Sequence, residues 1–504
     1  MEYGIKIDQK YLGLPIQAEQ PEELLEIFCG NMKIYEFRVP VCKNPAKVRY
    51  DYYSYLDVKQ YEGCELTLKG NFDEKFFENI FQSNENRQEP IKRPLIHFAA
   101  ERGWINDPNG LVYHDGTYHL YFQYNPMNTQ WQNMTWGHAV STDLVHFEQV
   151  DNVLYPDEHG AMFSGCGLVN ERGLLNLPKD ALLFYYSAAG DATKWSEGKQ
   201  FTQRIAYSLD GGKTLLKLPK ETIGVIEKDT RDPQVLWHEE SKAYIMLMWI
   251  KGNEFGFFRS TNLMDWEMTS TIELEKAWEC PDMFKLDCDG ESIWVFTSAD
   301  GFYYLGQFDG YKFETDKVRH DAYLTGLPYA AQTYSGVKDR VISVPWLRTL
   351  NVGRLYTGMM GIPREVGLTK RNGEPVLTLL PVREYEAAKE QIMEFSWGEA
   401  ESSIQIGRET AVEIELFPQE IEQLNVRFFD QELTICDRVL SYKNAKTEFP
   451  EKIEELHIII DRGVLEIHAN GGTMNAYYET DSDELQGTIS IKGCRGAGKI
   501  YIIK

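Results

Sequence analysis

The sequence predicts an all-β protein: a five-bladed β-propeller followed by a C-terminal β-sandwich, with an extra small, mostly-β region at the N-terminus. Three observations carry this. From about residue 93 to 383 the chain is a succession of short aromatic strands broken by Gly, Asp and Asn turns, with almost no helical periodicity. Examples are Leu182-Leu183-Phe184-Tyr185-Tyr186, Tyr244-Ile245-Met246-Leu247-Met248-Trp249, Ile293-Trp294-Val295-Phe296 and Val341-Ile342-Ser343-Val344. Within this region Ser141-Thr142-Asp143-Leu144-Val145-His146-Phe147-Glu148 is echoed by Ser260-Thr261-Asn262-Leu263-Met264-Asp265-Trp266-Glu267, and Tyr207-Ser208-Leu209-Asp210-Gly211-Gly212 is a degenerate copy between them. Recurrence at roughly 50–65 residues, several strands to a unit, is how propeller blades read, and about 290 residues at that spacing gives about five. Finally, Leu456–Asp461 and Val464–Ala469 flank an Arg462-Gly463 turn, a hairpin suited to a sandwich.

Taken in order, residues 1–92 form an N-terminal accessory β region. Ile34-Tyr35-Glu36-Phe37-Arg38-Val39 and Cys64-Glu65-Leu66-Thr67-Leu68-Lys69 alternate as strands, and Pro21-Glu22-Glu23-Leu24-Leu25-Glu26-Ile27-Phe28 reads as one short helix. No catalytic constellation lies here, and a structural brace is the expected role. The polar run from Gln82 to Pro90 is a linker. Residues 93–383 are the propeller, 384–395 a linker helix beginning Glu384-Tyr385-Glu386-Ala387-Ala388, and 396–504 the sandwich.

Composition bounds the function. At 504 residues the chain needs two or three domains, and 43% hydrophobic with 26% charged residues is ordinary for a folded protein. The aromatic share, 13%, fits strand packing and also surfaces on which sugars stack. A net charge of −25 argues against nucleic acid or an anionic membrane as partner and favours a neutral ligand. The eight cysteines include no C-x-x-C pair, so neither a zinc site nor a disulfide framework is indicated. No apolar stretch approaches a membrane span, and Met1-Glu2-Tyr3-Gly4 lacks a basic n-region. A cytoplasmic protein is expected, or a secreted one if a leader was removed; a homo-oligomer is compatible with all of this.

Three acids in the middle region sit in unusual settings. Asp107 lies in Trp104-Ile105-Asn106-Asp107-Pro108-Asn109-Gly110, which is turn chemistry and places it at a strand end or turn. A hairpin follows, turning at Asp115-Gly116. Arg231-Asp232-Pro233 and Glu279-Cys280-Pro281-Asp282 each precede a further strand. The innermost strands of a propeller converge on its channel, so acids from different blades can meet there. Two carboxylates across a glycosidic bond are what glycoside hydrolysis needs. Asp107, flanked by amides, suits the ionised nucleophile, while Glu279, beside Trp278, Cys280 and Pro281, suits the protonated acid.

These blocks, with Phe122-Gln123-Tyr124-Asn125-Pro126 and Phe163-Ser164-Gly165, resemble in order the signature blocks of glycoside hydrolase family 32, the β-fructofuranosidases. The resemblance covers about residues 93–504. It implies a retaining mechanism with Asp107 as nucleophile, Glu279 as acid/base and Asp232 as transition-state stabiliser. It also implies a fructose subsite lined by Asn106, Gln123, Trp131, Phe163, Ser164 and Arg231, with Tyr329 in a further block, Tyr329-Ala330-Ala331-Gln332-Thr333. No metal or cofactor is implied.

Two features depart from the family pattern. Cys166 stands where a second Ser usually follows Phe-Ser-Gly, and should pack with less hydrogen bonding. The acidic and glycine residues often found upstream of Tyr329 are not clear, which bears on the pocket rim. The runs Trp131–Val140 and Arg231–His238 look most like exo-acting fructan β-fructosidases and levanases. Short fructo-oligosaccharides, inulin- or levan-type chains and sucrose are therefore the expected substrates. The alternatives are a sucrose or sucrose-6-phosphate hydrolase, a fructosyltransferase, and a propeller that binds sugar without catalysis.

Overall fold

The computed structural model describes residues 1–41, 49–350 and 353–504. Among the described residues the strands form nine sheets, and no helix is long and apolar enough to cross a membrane. Five successive antiparallel sheets make the propeller. Their first strands are Gly103–His114, Ala161–Val169, Arg231–His238, Asp282–Cys288 and Pro328–Thr333. Each pairs with the strand that follows it, and the first, second and third pack side by side around the axis. The ring closes where Tyr356-Thr357, in the last sheet's connection, pairs in parallel with Gly103-Trp104 at the start of the first.

The repeated serine motif has a local cause. In the first and third blades Ser141 and Ser260 end a strand, and each hydroxyl accepts the backbone N–H groups two and three residues on. The leucines there, Leu144 and Leu263, take positive φ and bury completely. Ser208 does the same work in the second blade, accepting from Asp210 and Gly212. The echo is thus a side-chain-closed turn between neighbouring strands of a blade.

Two six-stranded sheets stack into the C-terminal sandwich around a core including Ile414, Leu433, Ile458 and Ile491. The hairpin across Arg462-Gly463 is present. The sandwich grips the propeller through Asp461, whose carboxylate accepts the backbone N–H groups of Leu95, Ile96, His97 and Arg462 at 2.8–3.1 Å. The His97 ring lies buried between Asp461 (3.0 Å) and Glu466 (3.1 Å), and Glu466 also pairs with Arg364.

The N-terminal module holds a four-stranded and a three-stranded sheet. Its core, including Leu12, Leu25, Phe37 and Phe76, admits Met127, Tyr155 and Leu355 from the propeller. Two expectations are corrected. Residues 22–28 are not a helix: Glu22–Cys29 is a strand, paired with Met32–Pro40 and Glu65–Gly70. Pairing on both sides overrides the helix propensity of its Glu and Leu residues. The linker helix spans Arg383–Ala388 only, because Lys389–Trp397 is drawn into the sandwich beside Gly496–Ile503.

Candidate active site

Three blades deliver the carboxylates. Asp107 is not in a turn at a strand end but inside the long first strand, where the ladder to Thr117–Asn125 is interrupted between Ile105 and Pro108 and again between Asn109 and Val112. Such bulges re-aim a side chain without ending the strand. Asp232 is the second residue of its strand with φ +63°, and Glu279 and Cys280, just before the fourth blade, have φ +34° and +41°. Left-handed backbone at three non-glycine residues of one site is strain held by the surrounding packing.

Hydrogen bonds differ between the acids. Asp107 accepts from the Ser164 hydroxyl at 2.6 Å. Ser164 reaches it because the next residue is Gly165: a Cβ there would meet the Tyr185 carbonyl at 1.8 Å. Asp232 accepts from the Cys280 backbone N–H at 3.1 Å, and its own N–H donates to the Ser187 hydroxyl. The Cys280 thiol touches both carboxylates, 3.7 Å from Asp107 and 3.5 Å from Asp232. Glu279 accepts from the Arg231 guanidinium at 3.2 and 3.3 Å on one oxygen and from the Tyr329 hydroxyl at 3.0 Å on the other. Its surroundings are therefore polar, not the apolar setting its sequence neighbours suggest; Trp278 is 40% exposed. Arg231 also lies 3.8 Å from Asp232 and stacks on Trp249.

Burial pushes the Asp232 carboxyl up to about 7, against the pull of Arg231 and with the added repulsion of Glu279 and Asp107. Burial also raises Asp107, opposed by the Ser164 hydrogen bond. Ligand atoms of Asp232, Glu279 and Cys280 come within 4.8 Å of one another, a spacing that could hold a cation. Arg231 lies against both carboxylates and supplies positive charge there.

The remaining expected residues divide. Asn106 is buried beside Asp107, accepting from the Trp104 indole. Gln123 is also buried, with its amide donating to the Met162 carbonyl. Trp131, 49% exposed, and Phe163 meet edge to face at 6.1 Å in an adjoining cleft. Cys166 is buried and accepts the Val235 N–H at 3.2 Å, so it retains a polar contact.

Sequence reasoning quoted Asp282 and Gln332 without assigning them a part. Asp282 accepts from Gln234, from the backbone of Met283 and from both the backbone and hydroxyl of Thr333. It knits the third, fourth and fifth blades beneath the site; its place in Glu-Cys-Pro-Asp was the available signal. Gln332 donates to the Gly165 carbonyl. With Asp107, Asp232 and Cys280, these residues line a cavity of about 10 Å³, barely one water in size.

A family model described as "Glycosyl hydrolases family 32 N-terminal domain" matches residues 97–378. The chain is 33% identical over 331 residues to a levanase of Bacillus subtilis, covering 59% of this chain and 48% of that protein. It is 31% identical over 344 residues to a fructan beta-fructosidase of Streptococcus mutans, covering 61% and 23%. The alignments thus span about half and about a quarter of those proteins' lengths. Among solved structures, an exo-inulinase from Aspergillus awamori superposes with a TM-score of 0.73 at 23% identity, over 83% of this chain and 99% of that one. A glycoside hydrolase family 32 protein from Bifidobacterium adolescentis gives 0.68 at 19% identity, over 100% and 99%. That match extends over the N-terminal module.

Proposed function

The chain belongs to glycosyl hydrolase family 32, and on that footing we propose that it is a retaining, exo-acting hydrolase releasing terminal fructose from β-fructosides. The observation that carries this is the convergence of Asp107, Asp232 and Glu279 from separate blades, with Cys280 touching the first two and Arg231 the last two. Two carboxylates suffice for acid and nucleophile, and the third is free to hold the sugar.

Asp107 attacks the anomeric C2 of the terminal fructosyl unit while Glu279 passes its proton to the leaving oxygen. The C2–O bond breaks and a fructosyl–Asp107 ester forms. Glu279, now a carboxylate, then takes a proton from water, whose oxygen attacks C2 and frees Asp107. Arg231 and Tyr329 fix the Glu279 carboxyl at one position for both proton transfers. Asp232, less acidic than an ordinary carboxyl, is placed to accept from fructose hydroxyls, and Ser164 holds Asp107 on line. The space between Asp107, Asp232 and Asp282, about 10 Å³, is too small for a sugar chain to continue past the acids, which supports exo action. The fructan-degrading relatives support fructo-oligosaccharides, inulin- or levan-type chains and sucrose as substrates.

Wild-type protein incubated with sucrose, a short inulin-type oligomer and levan is expected to release fructose. Asp107→Asn should lose about 10³-fold or more in kcat. Fructose from none of the three, or transfer products in its place, would sink the hydrolase reading.

A further inference from the structure

The N-terminal module does more than brace. Its strand Met32–Pro40 lines the cleft that adjoins the site, and two side chains bolt it there. Asn133, two residues after Trp131, accepts the Arg38 N–H and donates to the Arg38 carbonyl, both at 2.8 Å. Glu36, only 4% exposed, accepts the backbone N–H of Trp195 at 2.8 Å with one oxygen and pairs with Lys33 through the other. Module, first-blade loop and second-blade loop thereby enclose a narrow cleft lined by Phe37, Arg38, Trp131, Phe163 and Lys194. Phe163 is the residue before Ser164, so the cleft begins one residue from the serine that bonds Asp107.

Bracing accounts for the backbone of Arg38 but not for its guanidinium. The side chain is exposed and, among the described residues, makes no hydrogen bond or ion pair, in a chain of net charge −25. Lys194, the other cation on the cleft, pairs with Glu197. Arg38 and the half-exposed Trp131 line the same cleft, and such a pair suits a sugar: a ring stacks on an indole face and hydroxyl oxygens accept from planar guanidinium donors.

We propose that Arg38 is a specificity-determining residue: with Trp131 it binds a second, neutral sugar unit next to the fructosyl unit held at the three acids. The identity of that first unit rests on the hydrolase reading above. The module therefore ties the enzyme to oligosaccharides rather than to fructosides with small aglycones.

Arg38→Ala leaves the Asn133 clamp and the module core untouched, so it should fold as wild type. Its kinetics are compared with wild type on methyl β-fructofuranoside and on inulin-type tri- and tetrasaccharides. The expected result is a rise in KM of about tenfold for the oligosaccharides with kcat held, as for loss of a charged hydrogen bond. Methyl fructoside should change less than twofold, and Arg38→Lys should recover part of the oligosaccharide affinity. An equal change for all substrates, no change, a loss confined to kcat, or a loss confined to phosphorylated sucrose would overturn the proposal. Calorimetric titration of the trisaccharide into Asp107→Asn, with and without Arg38→Ala, separates this from the catalytic reading. Arg38-dependent binding by a wild type that hydrolyses nothing would uphold the subsite and overturn the hydrolase.

Discussion

At the scale of single residues, Arg231 reaches two of the three acids and leaves Asp107 to Ser164 and Cys280. This division sets a cost as well as a chemistry. Asp232 is 6% exposed and its carboxyl is pushed up to about 7 from an ordinary value near 4. An acid whose pKa is raised by folding destabilises the native state increasingly as pH climbs from about 4 to about 7, and by a constant amount above that. Asp232→Asn is therefore expected to inactivate the enzyme yet raise its Tm at pH 8 by about 3 °C. The gain should shrink to nothing at pH 4, and thermal denaturation across that range checks it. Much of this site was legible, because Asn-Asp-Pro-Asn-Gly, Arg-Asp-Pro and Glu-Cys-Pro-Asp each carry local chemistry. The environment of Glu279 was not: Tyr329 lies 50 residues on, and only the fold sets it against the carboxylate. Arg38 carried no signal at all, since an arginine on an alternating strand reads as a solvated face.

Among the elements, the hairpin that carries Asp461 and Glu466 is the one most sensitive to charge. Burial alone would lower the His97 pKa, but hydrogen bonds and charge from Asp461 and Glu466 outweigh it and push it up to about 9. Both carboxylates are in turn held below their ordinary range despite burial, Asp461 by His97 and the backbone of 95–96, Glu466 by Arg364 and His97. The histidine's contribution is complete below about pH 6.5 and is lost as pH rises through about 9, whereas the carboxylates' is lost as pH falls below about 4. The contribution of this cluster to Tm, read as the difference between wild type and His97→Gln, should thus be flat between about pH 4 and 6.5 and decline on both sides, the fall that Asp232 imposes being common to both proteins. His97→Gln should cost about 3–5 kcal/mol near pH 6 by removing the positive charge held between two buried carboxylates, and should remove the alkaline decline. A decline of equal size in the variant would exclude His97 as its cause. Sequence pattern gave the hairpin itself through Arg462-Gly463. It missed the strand at Glu22–Cys29 because Leu24 and Phe28 are half-buried, which blurs the alternation of buried Leu25 and Ile27.

For the whole molecule, the three regions share apolar contacts rather than meeting through linkers. Tyr155 of the first blade stands edge-on to Tyr35 at 5.2 Å, inside the module's core. A chain lacking residues 1–92 would expose that surface together with Met127 and Leu355. It is expected to aggregate or to melt at least 5 °C lower, as sedimentation and calorimetry would show, while the full chain unfolds in one transition. The seam at Tyr356-Thr357 reaches further. The strand bearing Asp107 obtains its second partner from residues some 250 positions later, and its lead-in at 95–97 is clasped by Asp461, which is made later still. During synthesis, then, the ribosome releases the strand of Asp107, with its hairpin partner Thr117–Asn125, long before its second partner and its clasp have been made. A nascent or prematurely ended chain carries all the acids of the first four blades yet no assembled pocket, and contacts of such long range make the last step of folding slow. Catalytic competence in this design is a property that the polypeptide acquires only when almost all of it has been made.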